Sequence, residues 1–297
     1  MTVAIREIGP GFVGEVSGVD LTRPLAPEEV KAIEAGMDRY AVLVFHDQQL
    51  TDEQQVAFSE NFGPLERPDS VSNITKPEDR RLRADIADIS NLDKSNKLHG
   101  RDDRQRLFNL GNRLWHSDSS FRQIPAKYSL LSGRVVPAKG GDTEFADMRA
   151  AYDALDDETK QEIEGLVCEH SLIFSRGLLG FDTDMTEEER RNFRPARQSL
   201  VRVHPVTGRK SLYLSAHAGT ILGWPRPEAL SFLRDLNEHA TQRQFVYAHK
   251  WRQGDLVIWD NRQTMHRARP FKDTTEVRDM RRTTVAGEAM TAEQAAA

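Results

Sequence analysis

The chain is almost without cysteine. Its single thiol, Cys168, excludes an internal disulfide framework and fits a reducing compartment, so a cytoplasmic location is expected. Long apolar runs are also missing. Nothing approaches the roughly 20 residues that cross a bilayer, which predicts no membrane-spanning helix. The opening stretch Met1 to Ile8 has no basic head followed by an apolar core, so no signal peptide is expected. Charge of one sign is modest. A net −5 argues against a general nucleic-acid binder but leaves room for a local basic pocket. Repeats and low-complexity tracts are absent.

What is present is ordinary globular composition, 38% hydrophobic and 29% charged over 297 residues. A chain of that length buries a sizeable core without staples. Pro27–Tyr40 is predicted as a helix, with Pro27 in its first turn and Val30, Ile33 and Met37 at helical spacing. Thr51–Phe62 opens on a capping residue and continues as a second helix. Asp147–Leu155, Asp157–Leu166 and Arg226–His239 are three more. The remainder is β-rich in short pieces: Ala41–Phe45, Asp85–Ile89, Ala126–Val136, Val167–Phe174, Leu200–His204, Ser211–Ser215, Gln244–His249, Asp255–Trp259 and Met280–Val285. Turn signals such as Thr207-Gly208 and Gln253-Gly254-Asp255 separate many of them. Without βαβ alternation, a Rossmann or TIM architecture is excluded. The expected class is mainly β with flanking helices, an antiparallel sandwich or jelly roll. Lys76–Arg83, Leu98–Arg106 and the Ala-rich end after Met290 are expected to be floppy, the last a disordered tail from about 290.

Two short stretches suggest a metal. In Leu114-Trp115-His116-Ser117-Asp118, a strand would turn residues i and i+2 to one face, so His116 and Asp118 can reach one ion. Further on, the apolar Leu256-Val257-Ile258-Trp259 ends in Asp260-Asn261-Arg262, and His266 lies just beyond. Two imidazoles and one carboxylate form the facial triad of non-haem iron(II), which leaves three adjacent positions open. Spacing alone does not make that case. A chance His-x-Asp arises about once in a chain of this composition. His99, His170, His204, His217, His239 and His249 are available as surface or core residues.

The wider pattern decides it. Phe62-Gly63-Pro64-Leu65, Leu114–Phe121, Gly140-Gly141-Asp142-Thr143, His204–Arg209 and Trp259-Asp260-Asn261-Arg262 resemble the taurine / 2,4-dichlorophenoxyacetate dioxygenase family, which are 2-oxoglutarate-dependent iron(II) oxygenases. The resemblance runs from Gly14–Leu21 to Val285. Ala87–Asn91, Leu114–Phe121, Asp147–Leu155 and His239–Arg243 look most similar to the aryloxyacetate branch. The resemblance implies a single domain over 1–297 with a double-stranded β-helix (jelly-roll, cupin-like) core. It implies His116, Asp118 and His266 as the ligands of Fe(II). It implies that Thr143 hydrogen-bonds 2-oxoglutarate and that Arg278 pairs with its distal carboxylate, a task suited to a planar guanidinium. Arg282 matches a second arginine near co-substrate and substrate. The stretch between His266 and Arg278 is one residue longer than in close relatives, so Arg281 is a rival to Arg282.

On the substrate side, Asn112 matches a substrate-contacting asparagine, the Ser119 N–H can face an anion, and Lys97 matches a loop lysine over the site. A second lysine expected near Asp69–Ser72 is not evident. Ile89, Leu92, Leu114, Phe121, Leu178, Leu179 and Trp224 are candidates for an apolar slot. The expected reaction is hydroxylation, with O2, of the carbon beside the ether oxygen of a small anionic aryloxyacetate. It gives a phenol and glyoxylate with succinate and CO2, with ascorbate as reductant in vitro, and it would serve breakdown of aromatic compounds, herbicides included. Asp118 argues against related halogenases, which keep a small residue there. The rivals are the same chemistry on a sulfonate, sulfate ester or other small anion, a non-catalytic cupin-like metal binder, and a zinc hydrolase. Self-association into a homo-oligomer is expected by analogy.

Overall fold

A computed structural model describes residues 2–66 and 74–294. The chain opens with β1 (Ala4–Glu7) and β2 (Val13–Ser17), an antiparallel pair. Then comes α1 (Pro27–Tyr40), started by Pro27 and ended by Ala41 in the left-handed region at φ 65°. It buries Ile33, Met37 and Tyr40. β3 (Val42–Phe45) follows, then α2 (Asp52–Glu60), whose cap is reciprocal: Thr51 Oγ1 accepts from Gln54 N, and Gln54 Oε1 accepts from Thr51 N.

The middle of the chain runs β4 (Ala87–Asp88), α3 (Arg104–Asn109), β5 (Tyr128–Val135), β6 (Thr143–Asp147), α4 (Met148–Asp153), α5 (Asp157–Ile163), β7 (Val167–His170), α6 (Leu172–Gly177), α7 (Glu187–Asn192) and β8 (Ala196–Ser199). The last part runs β9 (Val201–Val203), β10 (Lys210–Leu212), β11 (Ala218–Ile221), α8 (Arg226–Ala240), β12 (Val246–His249), β13 (Leu256–Asp260), β14 (Thr264–Ala268) and β15 (Asp279–Val285).

The large sheet has the order β1-β2-β3-β13-β5-β15-β4, antiparallel except for β2 beside β3. A smaller sheet, β12-β6-β14, faces it, and β11-β7-β8 and the β9–β10 hairpin are separate sheets whose Cys168, Ile221 and Leu212 share a core cluster with Ala146 of β6 and Met265 of β14. The central strand β13 shows how the layers are held. Its side chains alternate between faces. Leu256 and Ile258 pack with Ile33 and Met37 of α1 and Phe58 of α2. Val257 and Trp259 pack with Phe145 of β6, between the sheets. Helices outside and a second sheet inside make the jelly-roll core that the turn pattern predicts. Truncating a side chain such as Trp259 to alanine at this seam costs about 3–5 kcal/mol.

Several boundaries differ from expectation for physical reasons. Val167–Phe174 is not one strand. Ser171 Oγ accepts from Phe174 N at 3.2 Å and caps α6, so the strand stops at His170. β4 keeps only two residues of Asp85–Ile89. β6 and β14 are too polar to read as strands and take their form from pairing with each other. The expected floppy segments are pinned. Arg81 binds both Asp88 and Asp279. Leu98 bridges Leu92, and Asp103 caps α3 through Arg106 N. The chain past Met290 also lies against β8, as far as it is described: Thr291 Oγ1 bonds Ser199 N and Gln294 Nε2 bonds Arg197 O. None of the described helices is long and apolar enough to cross a membrane. The segment Asp69–Ser72, where a second lysine is sought, lies outside the described residues.

Candidate active site

His116 and His266 sit opposite each other across an antiparallel bridge. His116 N donates to His266 O at 3.0 Å, and His266 N donates to His116 O at 2.8 Å. His266 lies just beyond the turn after β13, on β14. His116 is held by this single bridge and not by a regular strand. Asp118 then opens a turn in which Ser119 takes a left-handed φ of 55°. The shared face expected of a strand is thus reached by a bridge and a turn.

Donor atoms of His116, Asp118 and His266 all lie within 4.8 Å of one another, and all three residues are buried. Asp118 Oδ1 is 3.8 Å from His116 Nε2, and Asp118 Oδ2 is 3.7 Å from His266 Nε2. His116 Nδ1 is 2.7 Å from Leu114 O, a bond it can make only as a donor, so Nε2 keeps its lone pair. Burial pushes the His116 pKa down. Burial and the His116 charge push that of His266 further down. Burial opposes ionisation of Asp118, but Arg282, the two imidazoles and a hydrogen bond from Ser129 overcome it, holding the carboxyl well below its usual range. Two neutral imidazoles and a carboxylate, dry and preset, are a donor set that fits a divalent transition metal.

A second layer fixes Asp118. Asn261 Oδ1 accepts from both Asp118 N, at 3.1 Å, and Trp259 Nε1, at 3.0 Å. Asn261 Nδ2 donates to Ser129 Oγ at 2.9 Å, and Ser129 Oγ donates to Asp118 Oδ2 at 2.7 Å. Asp260 and Arg262 pair at 2.8 Å and stiffen the turn from β13 into β14. The run Trp259-Asp260-Asn261-Arg262 therefore supports the site without entering it. Arg282 Nη1 reaches Asp118 Oδ1 at 2.5 Å, while Arg281 turns away to Asp52. The strand alternation settles which of the two faces the site.

Thr143 and Arg278 are buried as well. Thr143 Oγ1 accepts from Trp251 Nε1 at 3.0 Å, leaving its one O–H proton to donate elsewhere. Arg278 N donates to Asn91 Oδ1 at 2.9 Å. Gly141, at φ 74°, lets the Arg278 side chain pass close to the backbone beside it. Burial pushes the Arg278 pKa down to about 10, against the pull of Asp142. Among the described residues no carboxylate comes within 4.0 Å of its guanidinium.

A cavity of about 630 Å³ opens onto His116, Asp118 and Arg282. Asn112 and Ser119 line it, as do Ile89, Leu92 and Phe121. Ser119 Oγ donates to Glu66 Oε2 at 2.7 Å. Lys97 does not line it. Its side chain is exposed, and its backbone N donates to Asp93 Oδ1. Leu178 and Leu179 are exposed too, Trp224 packs on Phe232, and Leu114 does not reach the cavity wall. Sequence reasoning missed Arg176, His217 and Glu66, all in the wall. Arg176 lies in α6, whose start was missed because Ser171 was not read as a helix cap, and His217 lies in the turn that leads into β11. Arg278 is buried although it stands in the charged run Glu276–Arg282.

The family model for the taurine catabolism dioxygenase TauD, TfdA family matches residues 4–284. The alpha-ketoglutarate-dependent 2,4-dichlorophenoxyacetate dioxygenase of Cupriavidus pinatubonensis is 47% identical over 98% of this chain and 100% of its own. The (S)-phenoxypropionate/alpha-ketoglutarate-dioxygenase of Sphingobium herbicidovorans is 40% identical over 86% of this chain and 85% of its own. The crystal structure of AAD-2 with Mn(II) and N-oxalylglycine superposes with a TM-score of 0.94 at 61% identity, covering 98% of this chain and 100% of that one.

Proposed function

The chain belongs to the TauD/TfdA family of Fe(II)- and 2-oxoglutarate-dependent dioxygenases, and from that premise we propose that it oxidises aryloxyacetates, with 2,4-dichlorophenoxyacetate as a model substrate. The single observation that carries the reading is the coexistence of a buried two-His, one-carboxylate cluster with a buried arginine, Arg278, that has no carboxylate within 4.0 Å among the described residues. A mere metal binder or a zinc hydrolase has no need of the second feature.

His116, Asp118 and His266 would hold the iron. Bound iron(II), with 2-oxoglutarate and O2, supplies the oxidising power that yields succinate and CO2 and hydroxylates the carbon between ether oxygen and carboxylate. The hydroxylated product is a hemiacetal. It collapses to a phenol and glyoxylate. Arg278 would take the distal carboxylate of 2-oxoglutarate through a charge-assisted fork, and the free Thr143 O–H would donate to the same group. Arg282 fixes the orientation of Asp118. Asn112 and Ser119 stand where they can donate to a substrate anion, and Ile89, Leu92 and Phe121 give the ring an apolar wall. Lys97 would contribute only if its exposed side chain turned inward.

The test is succinate release across a panel of anions under iron, ascorbate and 2-oxoglutarate. Aryloxyacetates should stimulate it most. A sulfonate or sulfate ester as the best substrate would move the chain to a neighbouring branch of the same chemistry. We read the chain as one dioxygenase domain acting as a cytoplasmic homo-oligomer with no nucleic-acid partner. Sedimentation of the pure protein tests its oligomeric part.

A further inference from the structure

The described residues include four buried arginines: Arg149, Arg176, Arg262 and Arg278. A buried guanidinium without a counter-charge is costly, so each calls for an account. Arg149 has Asp147 at 2.9 Å, and Arg262 has Asp260 at 2.8 Å. Arg278 and Arg176 have no carboxylate within 4.0 Å among the described residues. The proposed function assigns Arg278 to 2-oxoglutarate. Nothing assigns Arg176.

We infer that Arg176 is the anchor for the substrate's carboxylate, at a subsite between α6 and the turn that precedes His116. The inference rests on the proposed aryloxyacetate reading and names the residue that would select the acid. Arg176 lines the same cavity as His116 and Asp118. Ser175 Oγ, which accepts from Arg176, also lies 2.8 Å from His217 Nδ1, and the His217 ring is 6.1 Å from that of His116, which places Arg176 near the metal cluster. Of five N–H donors, one is engaged by the described residues: Nη1 donates to Ser175 Oγ at 3.3 Å. Nε has no partner among the described residues. The guanidinium is fixed rather than free to swing. It stacks on Phe108, 4.5 Å from the ring centroid, and lies so close to Gly111 that any side chain there would collide with it.

Other cations of the cavity wall are neutralised, Arg122 by Glu66 at 3.6 Å among them. Arg81 pairs with Asp88 and Asp279, Arg104 with Glu189, Lys94 with Asp79, and Arg282 with Asp118. Arg176 is the wall's one buried cation without a carboxylate among the described residues. A rigid planar fork beside an apolar wall suits a planar carboxylate on an aryl ether.

The test compares phenoxyacetate with its neutral amide, phenoxyacetamide. Binding is measured by calorimetry, without oxygen, on protein loaded with iron(II) and 2-oxoglutarate. Wild-type protein should favour the acid. Arg176→Gln should weaken acid binding by about tenfold to a hundredfold, the range of a charged hydrogen bond, and leave amide binding and the 2-oxoglutarate requirement unchanged. Gly111→Ala, which displaces the guanidinium without removing it, should lower the acid/amide ratio as well and serves if Arg176→Gln does not fold. Equal losses for acid and amide, or an undiminished ratio in both variants, would overturn the inference while the functional reading stands. Wild-type protein that binds no aryloxyacetate would sink both.

Discussion

His116 and His266, distant in sequence, exchange both of their backbone hydrogen bonds across the bridge. A pair of this kind fixes both Cα positions, and the ring centroids come to 4.2 Å. The backbone therefore places two nitrogen donors before any metal arrives. The third donor, Asp118, is placed by side chains instead, through Asn261, Ser129 and Arg282. Removal of a ligand and removal of its support should accordingly have different signatures.

Asp118→Ala and His266→Ala remove ligands. Succinate formation should fall below detection in both, with iron content lost from the purified protein. Normal succinate production in either variant would remove the residue from the metal site.

Asn261→Ala removes a support. It leaves Trp259 Nε1 and Asp118 N without their acceptor, at a cost of about 1–3 kcal/mol in stability. Iron affinity should fall about 10- to 100-fold, as is usual when an outer partner of a ligand is lost. Activity should return at high iron. An iron titration that does not restore turnover would show that Asn261 does more than orient Asp118.

Arg278→Ala should raise the 2-oxoglutarate requirement far more than the substrate requirement. Thr143→Val keeps the shape, loses a hydrogen bond to a charged carboxylate worth about 1.5–3 kcal/mol and leaves Trp251 Nε1 without its acceptor, so its effect should be about tenfold to a hundredfold. Steady-state kinetics with each reactant varied in turn checks both. An effect of Arg278→Ala confined to the aryl substrate would reassign that arginine.

His170 gives a pH prediction away from the metal. It is fully buried, neither ring nitrogen has a partner among the described residues, and burial pushes its pKa down to about 3. In the unfolded chain it titrates near 6.5. Below that pH the unfolded state takes up a proton that the folded state refuses, so stability falls with acidification from about 6.5 down to about 3. At pH 5 the loss from this group is about 2 kcal/mol. His170→Phe can keep the stack on Tyr213 and has nothing to protonate. Its denaturation midpoint should drop less than that of the wild type between pH 7.5 and 5. Parallel curves would mean that His170 is hydrated or paired in solution.

How much of this was legible in the sequence follows from which forces act locally. Pro27–Tyr40 matched to the residue because its start, its apolar spacing and its end are all local signals. β13 was legible as an unbroken apolar run, buried on both faces. β6 and β14 were not, because Glu144 and Arg267 break the run and tertiary pairing alone makes them strands. The triad was weak as a spacing and became strong only within the longer resemblance. Arg282 was the assigned residue with Arg281 as its rival, and the register of β15 on β5 separates them. Arg176 carries no local mark at all. What distinguishes it is a missing carboxylate, which is a property of three-dimensional neighbours.

The most direct test of the whole account is the stoichiometry of one reaction. With iron(II), O2, ascorbate, 2-oxoglutarate and 2,4-dichlorophenoxyacetate, phenol and succinate should appear together in a ratio near one. Omitting 2-oxoglutarate should abolish both. Phenol released without 2-oxoglutarate, or with zinc in place of iron, would contradict the account and mark the cluster as a hydrolase site.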